Sequence, residues 1–79
     1  MHSERIGQAF GRTIRRLRTD RDLTQEALSY ETGLDRSFLS KLENGHKLPT
    51  LSTMIRLAKA LDLSIGRLVS EFEEELERD

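Results

Sequence analysis

Apolar residues recur along this chain at steps of three and four, the spacing that lines one side of a helix. Ile6, Ala9, Phe10, Ile14 and Leu17 form one such stripe and predict an amphipathic helix from about Ser3 to Asp20. Ser3 ahead of Glu4 suits its start, with an acid in the first turn. A shorter segment, TQEALSYET, opens at Thr24, and Gly33 ends it by supplying the left-handed residue that follows many helices. Asp35 caps a third segment, RSFLSKLEN, which Gly45 closes. Pro49 and Thr50 begin a fourth, with Leu51, Met54, Ile55, Ala58 and Leu61 on one face. Ser64 caps a fifth over 64–77, whose stripe is Ile65, Leu68, Val69, Phe72 and Leu76. No stretch alternates with the period of a strand, and no repeat or long linker divides the chain. The expectation is an all-α fold: five short helices in one domain over residues 1–79.

The stretch over residues 24–44 carries the most information. Two helices joined by a turn of about three residues around Gly33 must cross steeply, the geometry of a helix-turn-helix. On the second of them Phe38, Leu39 and Leu42 belong to the core side. Arg36, Ser37, Ser40, Lys41 and Asn44 belong to the other, which holds a guanidinium, an ammonium, two hydroxyls and an amide. Such groups donate to the acceptor edges of guanine and to phosphate oxygens. Asp35 reads as a helix cap, and Tyr30 either as partial core or as a neighbour of the turn on the groove side.

Thr24-Gln25, the turn glycine Gly33 and the run Leu42-Glu43-Asn44-Gly45 stand together in order and spacing. In these residues the chain resembles the Cro and lambdoid-repressor type of helix-turn-helix, the XRE family, over nearly its whole length. The resemblance implies a five-helix, lambda-repressor-like domain that binds double-stranded DNA without a cofactor. It implies that the recognition helix, 36–44, enters the major groove, where Arg36, Ser37 and Lys41 read bases. Gln25 would clamp the DNA backbone from the first turn of its helix, and Ser40 and Asn44 would contact phosphates. His46 and Lys47 lie where the family's loop meets the backbone, although His46 alone reads as an exposed imidazole. Arg18 and Glu43 match a structural ion pair between the first and third helices. Ser29 and Thr32 stand where the family usually has alanines; each hydroxyl is expected to bond back to a carbonyl one turn earlier. Phe38 is larger than some members carry there, and either packs inward or leans on the sugar–phosphate edge. The size and the run LDRSFLSKLENG also resemble restriction-modification controller proteins and phage Cro-like repressors.

Net charge at first opposes a DNA partner, since 13 basic side chains face 14 acidic ones for a balance of −1. Its distribution removes the objection. Residues 1–70 hold 12 basic and 8 acidic side chains, a balance of +4, while residues 71–79 hold one arginine and six acids, a balance of −5. An acidic tail away from the DNA is screened at ordinary ionic strength. Glu71, Glu73, Glu74 and Glu75 therefore read as solvated surface, and so do most of Arg5, Arg12, Arg15, Arg16 and Arg18 on the first helix.

Other classes fall away. There is no cysteine for a disulfide or a thiolate metal site, and His2 and His46 have no metal-ligand spacing. Neither histidine sits in a catalytic-triad context, so no enzyme is expected. Gly7 and Gly11 lie inside a helix, not in a phosphate-binding loop, and would let another helix approach closely. No small-molecule ligand is evident. No apolar stretch reaches bilayer length, and the first ten residues lack a secretory pattern, so a cytoplasmic protein is expected.

The fifth stripe bears on assembly. Ile65 and Leu68 are enough to close the core, whereas Val69, Phe72 and Leu76 run on past it and predict a partner surface. Two-fold pairing is the simplest solution. It would set two recognition helices about 34–36 Å apart, on a pseudo-palindromic operator. The alternative is an antitoxin or adaptor that binds a protein partner through the same helix.

Overall fold

A computed structural model describes residues 3–78 of the chain; His2 lies outside them. Their helices are α1 (Ser3–Asp20), α2 (Gln25–Thr32), α3 (Arg36–Glu43), α4 (Leu51–Ala60) and α5 (Ile65–Glu77), with no strand among the described residues. Four of the five begin on a side-chain cap. Thr24 accepts from the Ala27 N–H, Asp35 from Ser37, Thr50 from Thr53 and Ser64 from Arg67, all at 3.0–3.1 Å. Each cap satisfies an orphan donor and is worth ~1 kcal/mol. Helix ends are set by left-handed residues. Gly33 (φ 73°) ends α2 and Gly45 (φ 81°) follows α3, while Asp22 (φ 56°) and Asp62 (φ 57°) do the same after α1 and α4. After both aspartates the next amide bonds back to the helix, Leu23 to the Arg18 carbonyl and Leu63 to that of Ala58. The sequence pattern named the glycines and missed the aspartates, which tolerate this conformation better than most residues.

One core gathers all five helices: Phe10, Ile14 and Leu17 from α1, Leu28 from α2, Leu39 and Leu42 from α3, Leu57 and Ala58 from α4, and Leu68 from α5. Two stripes differ from the expected ones. On α4 the buried side is Thr53, Leu57 and Ala58, while Leu51 is 65% and Ile55 51% exposed. Apolar residues cover more than one side of this helix, and docking chose the side holding Leu57. On α5, Leu68 and Glu71 are buried, and Phe72 meets Phe10 edge to face with ring centroids 5.7 Å apart. Phe72 is thus engaged with its own core, and it is Ile65 and Val69 that stand 37% and 41% exposed.

The α1–α5 contact carries further corrections. Arg12 Nε lies 3.0 Å from Glu75 and Arg16 Nη2 2.9 Å from Glu71. The pairs run in opposite order along the two helices, so the helices lie antiparallel. Glu71 also accepts from Arg67 Nε at 3.0 Å. The hydrogen bond from Arg16, first, and then that from Arg67 outweigh the opposing effect of burial and hold the Glu71 carboxyl below its ordinary pKa. Glu71 and Glu75 are therefore docking groups and not solvated surface; Glu73 and Glu74 are exposed.

Candidate nucleic-acid interface

α3 is eight residues long, and its two sides divide cleanly. Leu39, Leu42 and Glu43 are buried, Phe38 is half-buried against the core, and Arg36, Ser37, Lys41 and Asn44 are exposed with Ser40 half-buried. His46 and Lys47 are exposed in the loop that follows. The Asp35 carboxylate receives the Ser37 hydroxyl and amide at the start of the helix. The Ser37 hydroxyl bond is the main reason the Asp35 carboxyl sits below its usual pKa. At the other end the His46 amide bonds back to the Lys41 carbonyl at 2.8 Å.

What holds α3 against α1 is close backbone packing and one buried carboxylate. Gly11 lies against the end of α3 so tightly that a Cβ there would collide with the carbonyl oxygens of Leu42 and Glu43. Gly7 packs on Gly45 less tightly, with the Gly45 carbonyl oxygen 3.0 Å from where a Cβ would lie. The Glu43 side chain is fully buried and meets Arg18 through two parallel bonds, Nε to Oε2 at 2.6 Å and Nη2 to Oε1 at 2.9 Å. Arg18 Nη1 also donates to the Leu23 carbonyl at 2.8 Å, tying the α1–α2 turn to the same point. Burial alone would raise the Glu43 carboxyl; hydrogen bonds from Arg18 and Gln25, and the Arg18 charge, outweigh it and leave its pKa lowered. Arg18 is correspondingly raised, chiefly by its hydrogen bond to Glu43.

Gln25 joins this network: its Nε2 donates to Glu43 Oε1 at 3.0 Å. One of its two amide hydrogens is spent there, and the second hydrogen and the carbonyl oxygen remain. Arg15, assigned to a solvated face by its sequence position, donates to Asn44 Oδ1 at 2.9 Å and to Glu43 Oε1 at 3.4 Å. Glu26, beside Gln25, lies 3.4 Å from Arg36 Nε. The first turn of α2 therefore touches both ends of α3, Arg36 at its start and Glu43 at its close. Arg15 and Glu26 were missed by the sequence reading. A signal existed for Arg15, which is one turn before Arg18 on the same side of α1; none existed for Glu26, whose partner is set by the helix crossing.

The α2–α3 turn rests on hydroxyls. Thr32 Oγ1 donates back to the Leu28 carbonyl at 2.7 Å. Ser29 departs from expectation by donating forward, across the turn, to the Leu34 carbonyl. Tyr30 is 88% exposed and contributes nothing to the core.

A short helix with a basic and hydroxyl-bearing outer face, held at a fixed turn from its neighbour, defines the class of helix-turn-helix DNA-binding regulators. The chain belongs to the helix-turn-helix family HTH_3, of the XRE type, whose pattern it matches over residues 14–68. It is 39% identical over 64 residues to the uncharacterized HTH-type transcriptional regulator y4dJ of Sinorhizobium fredii, covering 81% of this chain and 83% of that one. It is 35% identical to the control protein C.SmaI of Serratia marcescens, over 82% of this chain and 77% of that one. Its backbone matches the crystal structure of the restriction-modification controller protein C.AhdI from Aeromonas hydrophila with a TM-score of 0.74 at 39% identity, over 77% of this chain and 92% of that one. The chain is a transcriptional regulator of this type, and the family is one of DNA-binding proteins, not enzymes. Among the described residues no helix is long and apolar enough to cross a membrane, and no group of three or more His, Cys, Asp or Glu is placed to hold a metal ion.

Proposed function

We propose that this chain is a sequence-specific transcriptional regulator of the controller or Cro-like kind, acting in the cytoplasm as a homodimer on a pseudo-palindromic operator. Its 79 residues work as one domain, with the helix-turn-helix over 24–44 and the helix over 64–77 contributing to dimerisation. The observation that carries the reading is the division of α3: Leu39, Leu42 and Glu43 are anchored inside while Arg36, Ser37 and Lys41 stand free of the core. In the major groove Arg36 and Lys41 favour guanine O6 and N7, and Ser37 contacts a neighbouring base edge. Gln25 uses its remaining amide hydrogen on a phosphate, and Ser40, Asn44, His46 and Lys47 add backbone contacts that fix register.

For the dimer, the exposed apolar residues support a face displaced from Phe72. Ile55 and Ile65 line one groove between α4 and α5. Val69 lies one helical turn beyond Ile65, and Leu51 one turn before Ile55. Val69 belongs to this face, with Leu76 at its far margin and Phe72 beneath it as core support. A protomer measuring 32 × 23 × 22 Å has the size to set two recognition helices one turn of DNA apart, about 34–36 Å.

Selection from random duplex DNA near physiological salt tests the function. An enriched inverted repeat with guanines in each half-site is expected, and no enrichment over bulk DNA overturns the reading. Arg36→Ala should relax one base position at a cost of ~1–3 kcal/mol, whereas Gln25→Ala should weaken all sites about equally. Uniform loss from both would overturn the assignment of roles.

A further inference from the structure

Arg36 is the first residue of α3, and Glu26 sits in the first turn of α2. Glu26 Oε1 lies 3.4 Å from Arg36 Nε, with the two side chains 74% and 62% exposed. The contact therefore occurs on the surface, at the guanidinium to which base reading is assigned. A first-turn acid suits the helix dipole wherever it stands. Its contact with the reading arginine is a separate matter, because a guanidinium is a fork with several edges. Engaging Nε leaves the two Nη groups, a pair that can meet guanine O6 and N7 end-on. The same carboxylate offsets part of the charge with which Arg36 would otherwise grip any phosphate.

We propose that Glu26 is a specificity-determining residue that acts through Arg36. It holds the Nε edge, offers the Nη pair to guanine, and makes the arginine a poor general phosphate clamp. This rests on the DNA-reading role of Arg36 set out above. Where the half-site places a guanine opposite α3, the Nη groups gain two aligned acceptors and Glu26 costs little. On unrelated sequence no such acceptors exist, and an arginine already facing Glu26 gains little from a phosphate. Discrimination comes from weakening the wrong complexes, and not from strengthening the right one.

The experiment compares wild type, Glu26→Gln, Arg36→Ala and the double variant. Each binds the duplex recovered by selection and a scrambled duplex of equal length and composition, across a series of salt concentrations. Glu26→Gln is expected to tighten binding to the scrambled duplex by about fivefold, the factor of one unit charge at about 4 Å in water. It should change binding to the selected duplex far less, so the specificity ratio falls. The salt slope on the scrambled duplex should steepen by about 0.9, the release of one counterion as Arg36 takes up a phosphate. In the Arg36→Ala background Glu26→Gln should leave the ratio and that slope unchanged, and every variant should remain folded under the binding conditions, losing at most the small contribution of a first-turn acid. The inference is overturned if Glu26→Gln shifts both duplexes equally, or if its effect survives the loss of Arg36. Wild type that fails to prefer its selected duplex would overturn the DNA-reading role as well; a preference that Glu26→Gln preserves overturns this inference alone.

Discussion

Arg18 and Glu43 meet at 2.6 Å, a guanidinium of α1 closing on a carboxylate at the end of α3 whose side chain has no solvent exposure. The pair fixes the depth at which the outward face of α3 is presented, and Gly11, Gln25 and Arg15 converge on the same point. Taking Arg18 away leaves a buried carboxylate with only Gln25 and the more distant Arg15, and taking Glu43 away leaves Arg18 with the Leu23 carbonyl; either is far costlier than removing an exposed ion pair. Arg18→Ala or Glu43→Ala should therefore lower unfolding free energy by ~3–5 kcal/mol in urea titrations. A loss under about 1 kcal/mol would mean that the pair does not hold α3.

Acid should act through the same group. The Glu43 and Glu71 carboxyls are lowered in the folded state, so unfolding raises their proton affinity. Their contribution is fully present above the ordinary carboxylate pKa of about 4.3 and is lost as pH falls below it, through the lowered folded values. Stability should be level from neutral pH to about 5 and fall steeply beneath about 4. Glu43→Gln, less stable at neutral pH, should show a shallower acid limb in thermal melts; an identical limb would place the linkage elsewhere.

Two glycines should respond in opposite directions. A methyl at Gly11 collides with the Leu42 and Glu43 carbonyls, whereas nothing approaches closer than 4.0 Å to a Cβ at Gly66 in α5. Gly11→Ala should destabilise by ~1–3 kcal/mol through overpacking, and should weaken DNA binding as α3 is displaced. Gly66→Ala should stabilise by ~0.5–1 kcal/mol, because alanine is the better helix former. Equal stabilisation in both would refute the close α1–α3 approach.

The proposed dimer face makes a separate prediction. Val69→Glu or Ile65→Glu should yield a folded monomer of 9.1 kDa in sedimentation, where wild type is expected to sediment at twice that mass. Phe72→Ala should instead cost ~2–3 kcal/mol of stability through its lost contact with Phe10, somewhat less than a full core aromatic. A dimer untouched by Val69→Glu and Ile65→Glu would move the interface off this side of α5.

The sequence by itself determined what neighbouring residues decide between them. Thr24, Asp35, Thr50 and Ser64 mark helix starts because each side chain bonds an amide two or three residues on, and Gly33 marks an end because it accepts a positive φ. The inward and outward sides of α3 follow from its period, since Leu39 and Leu42 leave only one way for so short a helix to lie. Docking decided the rest. Arg18 finds Glu43 across 25 residues of chain, Arg12 finds Glu75 across 63, and α4 buries Leu57 in place of Leu51 and Ile55. Phe72, which extends the α5 stripe, is drawn onto Phe10 once α1 and α5 lie antiparallel. A helix with apolar residues on more than one side, or a cation with several acids within reach, has no preference that local spacing can express. The choice is made by whichever packing of helices buries the most apolar surface while leaving no buried carboxylate unpaired, and that is a property of the assembled fold.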